Sequence, residues 1–303
     1  MPEPVYLVTG AGGGTGGVSR YVIERLRRDG RHVRAFVHRE DDRAARLRER
    51  DVDVVVGDLT RPQDVVGALT GADRVFFSMS VSSQYLEATA VMAAAARDYG
   101  RLEVLVNMSQ MTVSQMTLTS DSESDQHRLH YLAELVLNWS GLPVTHVRPT
   151  AFLDNPLFTR FAAPALRDHD LLLLPFGSGR TSPIAAVDVA RAVTVVLTDP
   201  KSHVGDTYEL TGPAALDIDG LAAEYAVGLG RPIHGSDIPH ETWVRDVLAP
   251  LGLPAHLQQH LETMALLHRA GRYDRATDDF ARLTGGSALS PGQYIREHPD
   301  LFS

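Results

Sequence analysis

The chain of 303 residues carries 29 basic against 38 acidic side chains, a formal net charge of −9, and no cysteine. That charge weighs against nucleic acid and anionic membrane as partners, and the missing thiols exclude disulfides, thiolate nucleophiles and cysteine metal sites, as suits a reducing cytoplasm. No apolar run approaches the roughly 20 residues of a membrane span, and MPEPVYLVTG lacks the basic and apolar stretches of a signal peptide.

In chain order, 5–10 (VYLVTG) predicts a strand. From Thr15 to Asp29, apolar Val18, Tyr21, Val22, Ile23 and Leu26 recur near helical spacing, with arginines on the opposite face, and Gly30 stops the helix. A strand over 32–38 precedes a charged helix from about 41 to 50, then a strand over 52–58. Pro62 opens a helix running to about Leu69, 73–79 is a fourth strand, 84–99 an alanine-rich helix and 103–109 a fifth strand. Residues 110–126 are polar and read as a long loop, either mobile or ordered by a ligand. A helix over 127–140 and a strand over 143–150 follow. Then come a helix near 155–167, an apolar LLLLPFG segment, a helix over 185–197, a strand over 206–212 and a mostly helical tail. Apolar strands alternating with helices indicate a parallel sheet covered on both faces.

Between the first strand and helix lies GAGGGTG, in which Gly10, Gly13 and Gly16 form a G-x-x-G-x-x-G frame, with Gly12, Gly14 and Thr15 completing the loop. Small residues there let the chain turn, let the backbone approach a pyrophosphate and let helix pack on strand, while the helix N-terminus receives the anion. The expectation is a dinucleotide site in an α/β, Rossmann-like, doubly wound parallel sheet with a smaller, mostly helical C-terminal substrate lobe. The dinucleotide domain covers 1–150, completed by 180–205. The lobe takes 151–179 and 206–303, with the site expected in the cleft between them.

The second strand ends in Val37-His38-Arg39, where an NAD site carries an acid; Glu40 comes one position late. An arginine there suits a 2′-phosphate, so NADP(H) is expected ahead of NAD(H). Residues 20–50 hold 11 arginines against six acids, which is either a basic site or a solvated helix face. Asp58 reads either as acceptor for the adenine amino group or as a helix cap. Leu59, Ser78, Asn107 and Thr150 are expected to line the cofactor.

Several stretches together resemble the NmrA-like branch of the atypical short-chain dehydrogenase/reductases: VTGAGGGTGG, VHR, GDLTRP, VLVNMSQM, the run 130–155 and YELTGP. The resemblance covers nearly the whole chain and implies NAD(P)H-dependent quinone and azo-type reductases, ketone reductases, or catalytically silent redox-sensing regulators. It departs from the superfamily in one respect. A Tyr-x-x-x-Lys pair would need tyrosine at 197, because Lys201 is the only lysine, and 197 is leucine.

His130-Tyr131-Leu132-Ala133-Glu134 stands in that place. The resemblance points to His130, four residues before Glu134, as in the quinone-reductase relatives. His130 reads either as proton donor or as a structural histidine bonded to Glu134. Tyr131 points about 100° away around the helix. Ser109 bonds a substrate oxygen, orients the cofactor ribose or simply ends the strand, with Asn107 and Gln110 flanking it. Thr150 and Phe152 resemble the wall of the nicotinamide carboxamide, and Asn155 reads as the cap of the next helix. Met108, Met111 and Met116 read as a soft pocket or as packing.

No metal is expected, since His127/His130 and His256/His260 have helical spacing but no third ligand. The expected partner is a small aromatic or quinone-like substrate, with no nucleic acid and no membrane, in a monomer or homodimer. Two functions follow: an NADPH-dependent oxidoreductase, or an NADP(H) sensor whose long loop the cofactor orders.

Overall fold

The alternating apolar runs build β1 (Val5–Val8), α1 (Val18–Arg28), β2 (His32–Val37), α2 (Asp42–Glu49), β3 (Asp53–Val56), α3 (Pro62–Leu69), β4 (Arg74–Phe77), α4 (Tyr85–Tyr99), β5 (Val104–Met108), α5 (Asp125–Trp139) and β6 (Val144–Pro149). There follow α6 (Ala163–His169), β7 (Leu171–Leu174), α7 (Ala186–Thr198), β8 (Thr207–Leu210), α8 (Ile218–Leu229), β9 (His234–Asp237), α9 (His240–Trp243), α10 (Ala255–Arg269), α11 (Asp279–Thr284) and α12 (Pro291–Glu297). The computed structural model describes residues 3–11 and 17–302, and none of its described helices is long and apolar enough to cross a membrane.

Seven strands form one sheet in the order β3-β2-β1-β4-β5-β6-β8. The five pairings from β3 through β6 are parallel. This is the doubly wound dinucleotide-binding order, whose direction of winding reverses between β1 and β4. There Thr9 Oγ1 donates to the Ser78 carbonyl at 2.7 Å and accepts from the Ser78 N–H at 2.9 Å, which ties the two strand ends together.

The chain divides into two units. The first holds residues 1–110, 129–148 and 189–208. Its core sets Leu7, Phe36, Val75, Phe77 and Leu105 of the sheet against Leu69, Met92, Ala96, Ala133 and Leu137 of the helices. Local chemistry sets the helix ends. Asp41 caps α2 by accepting from the Arg43 and Ala44 N–H groups, Pro62 occupies the first turn of α3, and Gly30 leaves α1 with a φ of 74° that favours glycine.

The second unit holds residues 111–128, 149–188 and 209–303. Its core gathers Phe158, Leu172, Phe176, Tyr225, Trp243 and Tyr294, and β7 pairs in parallel with β9. Two expectations are corrected here. The helix near 155–167 is confined to Ala163–His169. Asn155 caps no helix; its Oδ1 accepts from Leu157 N–H at 3.0 Å, and Thr159 Oγ1 donates to its carbonyl, closing separate turns instead.

The stretch 110–126 is also more regular than a loop: Met111–Gln115 is a 3₁₀ turn and α5 starts at Asp125. Contacts within the unit pin it. Arg272 donates to Glu123 Oε1 at 2.6 Å and to Gln115 Oε1, Arg275 donates to Ser114 Oγ, and Gln259 Oε1 accepts from Asp125 N–H.

Candidate dinucleotide and reaction site

Gly10 ends β1 at a φ of 68°, and a Cβ there would lie 2.8 Å from the Ser78 carbonyl oxygen. Only glycine fits this turn without strain. Gly12, Gly13, Gly14, Thr15 and Gly16 lie outside the described residues. Beyond them Gly17, left-handed at a φ of 49°, supplies no side-chain cap to α1. The Arg20 N–H donates to the Gly17 carbonyl at 3.0 Å, and among the described residues no side chain caps the start of this 11-residue helix. A Cβ-free turn followed by an uncapped helix start fits a dinucleotide pyrophosphate.

At the end of β2, His38, Arg39 and Glu40 are exposed. Five of the 11 arginines in residues 20–50 are ion-paired to described residues: Arg27 with Asp51, Arg34 with Asp53, Arg43 with Asp41, Arg48 with Glu40 and Arg50 with Glu24. That part of the stretch is an ion-paired face. Arg39 makes no ion pair with a described residue. Asp58, after β3, accepts from the Thr60 N–H and hydroxyl at 2.9 and 2.8 Å, bonds that hold its carboxyl below the ordinary carboxylate range. It turns the chain ahead of α3, whose N-cap is Arg61. Leu59 is buried and Ser78 half-buried.

The C-terminal end of β5 concentrates polar groups in an apolar setting. Asn107 is fully buried and paired in register with His146 of β6. Burial holds the His146 imidazole below its ordinary pKa, so it is neutral. Asn138 Oδ1 lies 2.9 Å from Nε2, which therefore carries the proton, and Nδ1 accepts from Asn107 Nδ2 at 3.0 Å. The Asn107 amide is thus oriented, and its buried Oδ1 has no partner among the described residues. Two residues on, Ser109 Oγ is likewise buried without one. Each such group costs about 1–3 kcal/mol unless a ligand or water satisfies it.

His130 and Tyr131, both half-buried, lie on α5. The His130 ring packs on Tyr85, ring centroids 4.2 Å apart, and Tyr85 donates its hydroxyl to the Met108 carbonyl at 2.8 Å. Glu134 is gripped at both oxygens by Arg148, at 2.9 and 2.5 Å. Tyr85, His146 and Arg148 escaped the reading of the sequence. The available signal was ionisable side chains at 146 and 148, alternating along a mostly buried strand.

In the second unit Thr150 is buried, its Oγ1 without a partner among the described residues, and Phe152 bridges to Ile184. Met111 and Met116 are buried, as is Met108 in the first unit, so packing is the role the structure gives them. His127 and His260, whose helical spacings raised the question of a metal, both bond Ser124 Oγ through Nδ1, at 2.9 and 2.8 Å; His256 bonds Gln126.

A family model described as NAD(P)H-binding matches residues 13–200. An NAD(P)H azoreductase of Xenophilus azovorans is 26% identical over 290 residues, 96% of this chain and 97% of that protein. The NADPH-dependent quinone oxidoreductase of Escherichia coli, solved with NADPH, superposes with a TM-score of 0.81 at 23% identity, over 96% of this chain and 99% of that one. NmrA, a negative transcriptional regulator solved with NADP, superposes with a TM-score of 0.80 at 20% identity, over 98% of this chain and 95% of that one. At these identities the two structural likenesses show a shared fold.

Proposed function

This chain belongs to the NAD(P)H-binding family, and from that premise we propose that it is an NADPH-dependent reductase of a quinone, aromatic ketone or similar flat carbonyl-type substrate, working without a Tyr-x-x-x-Lys pair. The observation that carries the chemistry is the end of β5, where the Ser109 hydroxyl and Asn107 carbonyl oxygen are buried with no partner among the described residues. The end-to-end similarity to an azoreductase supports the same reading.

Gly10, the glycine loop and the first turn of α1 would hold the pyrophosphate; Arg39 and His38 would face the 2′-phosphate, and Asp58 and Leu59 the adenine. Ser78, Asn107 and Thr150 would line the rest of the dinucleotide. NADPH supplies the hydride. Ser109 donates a hydrogen bond to the acceptor oxygen. His130, its ring set by Tyr85, holds the proton that the product takes up, since imidazole titrates near neutrality. Tyr131 is a secondary candidate for that proton. A quinone spreads charge over its ring and needs this acid least, so an aromatic ketone depends on it most.

The test is NADPH oxidation with menadione, an azo dye and a polycyclic ketone, beside His130→Ala. Ketone turnover is expected to fall by about a hundredfold or more in the variant, with menadione turnover affected less. Ketone turnover equal to wild type would move the proton to Ser109 or water. A second reading, an NADP(H) sensor, is favoured by one observation: the sole lysine, Lys201, is exposed on a turn at 200–202. Bound NADPH with no turnover of any acceptor would select it.

A further inference from the structure

We infer that Arg48, on α2, sets the dinucleotide preference by keeping Glu40 from the ribose; this rests on the reading of the chain as an NADPH-binding protein. An acid at the end of the second strand is what an NAD site uses to hold the ribose hydroxyls. Glu40 lies three residues beyond β2, close enough to that position to compete with Arg39 for control of it. The structure shows it committed elsewhere. The Arg48 guanidinium takes both its oxygens, Nη1 to Oε1 at 2.5 Å and Nη2 to Oε2 at 2.8 Å. This is the planar two-bond grip that arginine alone provides.

The next carboxylate is committed as well. Asp41 Oδ1 accepts from the Arg43 and Ala44 N–H groups, and Oδ2 takes the Arg43 guanidinium at 2.6 Å. Of the three acids that follow Arg39, Glu40 and Asp41 are therefore neutralised by arginines of α2, Asp42 opens that helix, and Arg39 keeps its charge without an ion pair to a described residue. A 2′-phosphate would then meet the Arg39 guanidinium while Glu40 and Asp41 are each held by an arginine. With Arg48 removed, Glu40 would repel the phosphate and accept from a ribose diol, which favours NADH.

The Arg48 and Glu40 side chains are 45% and 57% exposed, so the pair contributes little to folding, and its energy is modest and salt-sensitive. Its effect is on discrimination between ligands. Arg48 is a positioning residue that acts through Glu40.

Fluorescence titration of NADPH and NADH at low ionic strength tests this on the wild type, Arg48→Gln, Glu40→Gln and the double variant, with circular dichroism to establish that each is folded. The NADPH-over-NADH affinity ratio is expected to fall about two- to fivefold in Arg48→Gln. It is expected to stay near wild type in Glu40→Gln and in the double variant. A ratio unmoved in Arg48→Gln overturns the inference. So does an equal fall in the Glu40→Gln background, since Arg48 would then act by its own charge. A wild type that binds neither dinucleotide, or prefers NADH, fails differently: the NADPH reading itself falls, and the inference with it.

Discussion

His268 shows how far one residue's surroundings can set its chemistry. It is fully buried and stacked between Phe176 and Tyr273, at ring-centroid distances of 4.0 and 3.9 Å. Its Nδ1–H donates to the Met264 carbonyl at 2.7 Å and its Nε2 accepts from Thr181 Oγ1 at 3.2 Å. Burial penalises the charged imidazolium and pushes the pKa down to about 3. A folded-state pKa below the unfolded value of about 6.5 gives stability that is present above pH ~6.5 and lost as pH falls toward 3, at most about 1.4 kcal/mol per unit. His260, pushed down to about 4 by the same cause, acts in the same direction. Thermal unfolding between pH 7.5 and 5 is therefore expected to show a steep acid loss. His268→Phe keeps the stack but removes the titrating group, so its Tm starts lower and falls less with acid. An unchanged pH slope in that variant would show that the loss arises elsewhere.

The segment 111–128 and α5 show how an element takes its order from its neighbours. Its sequence, rich in serine, threonine and acids, has no apolar periodicity to announce a packed structure. Its order comes from partners about 130 to 160 positions away: Arg272 on Glu123, Arg275 on Ser114, His260 on Ser124 and His256 on Gln126. Glu123 is 2% exposed and Arg272 25%, so removing the guanidinium leaves a buried carboxylate unpaired. Arg272→Ala is expected to cost on the order of 2 kcal/mol, below the fully buried range because the arginine is partly solvated. Hydrogen exchange should rise first in 111–128 and the start of α5. A uniform rise along the chain would mean that the ion pair supports the unit as a whole and not this segment. The sensor reading drew on a loop ordered by cofactor, and these protein contacts already provide that order.

For the molecule as a whole, the seven-stranded order reversing between β1 and β4 ties cofactor binding to stability. A ligand that binds only the folded chain stabilises it by mass action, about 2.7 kcal/mol at a hundredfold excess over Kd. NADPH is expected to raise Tm by a few degrees for a chain of this size, and NADH by less at equal concentration. Gly10→Ala, which sets a Cβ against the Ser78 carbonyl, should lower the ligand-free Tm and remove most of the NADPH shift. A Tm that responds to neither dinucleotide would count against a cofactor site at this strand end.

The parallel strands, their helices and the glycine turn at Gly10 could be read from residue order because they rest on local rules: period-two and period-3.6 burial, and proline and glycine at the ends of elements. The residues that surround the site could not. Tyr85 and His130 are 45 positions apart and Asn107 and His146 are 39 apart. Only the register of β5 on β6 and the packing of α4 and α5 decide that they meet. The sequence names a histidine, a serine and an asparagine as candidates. The tertiary structure decides that the buried Asn107 and Ser109 oxygens have no partners among the described residues, that Arg148 grips Glu134, and that Arg48 pairs with Glu40. A hydrogen bond's partner depends on where distant strands and helices come together, and no local pattern encodes that.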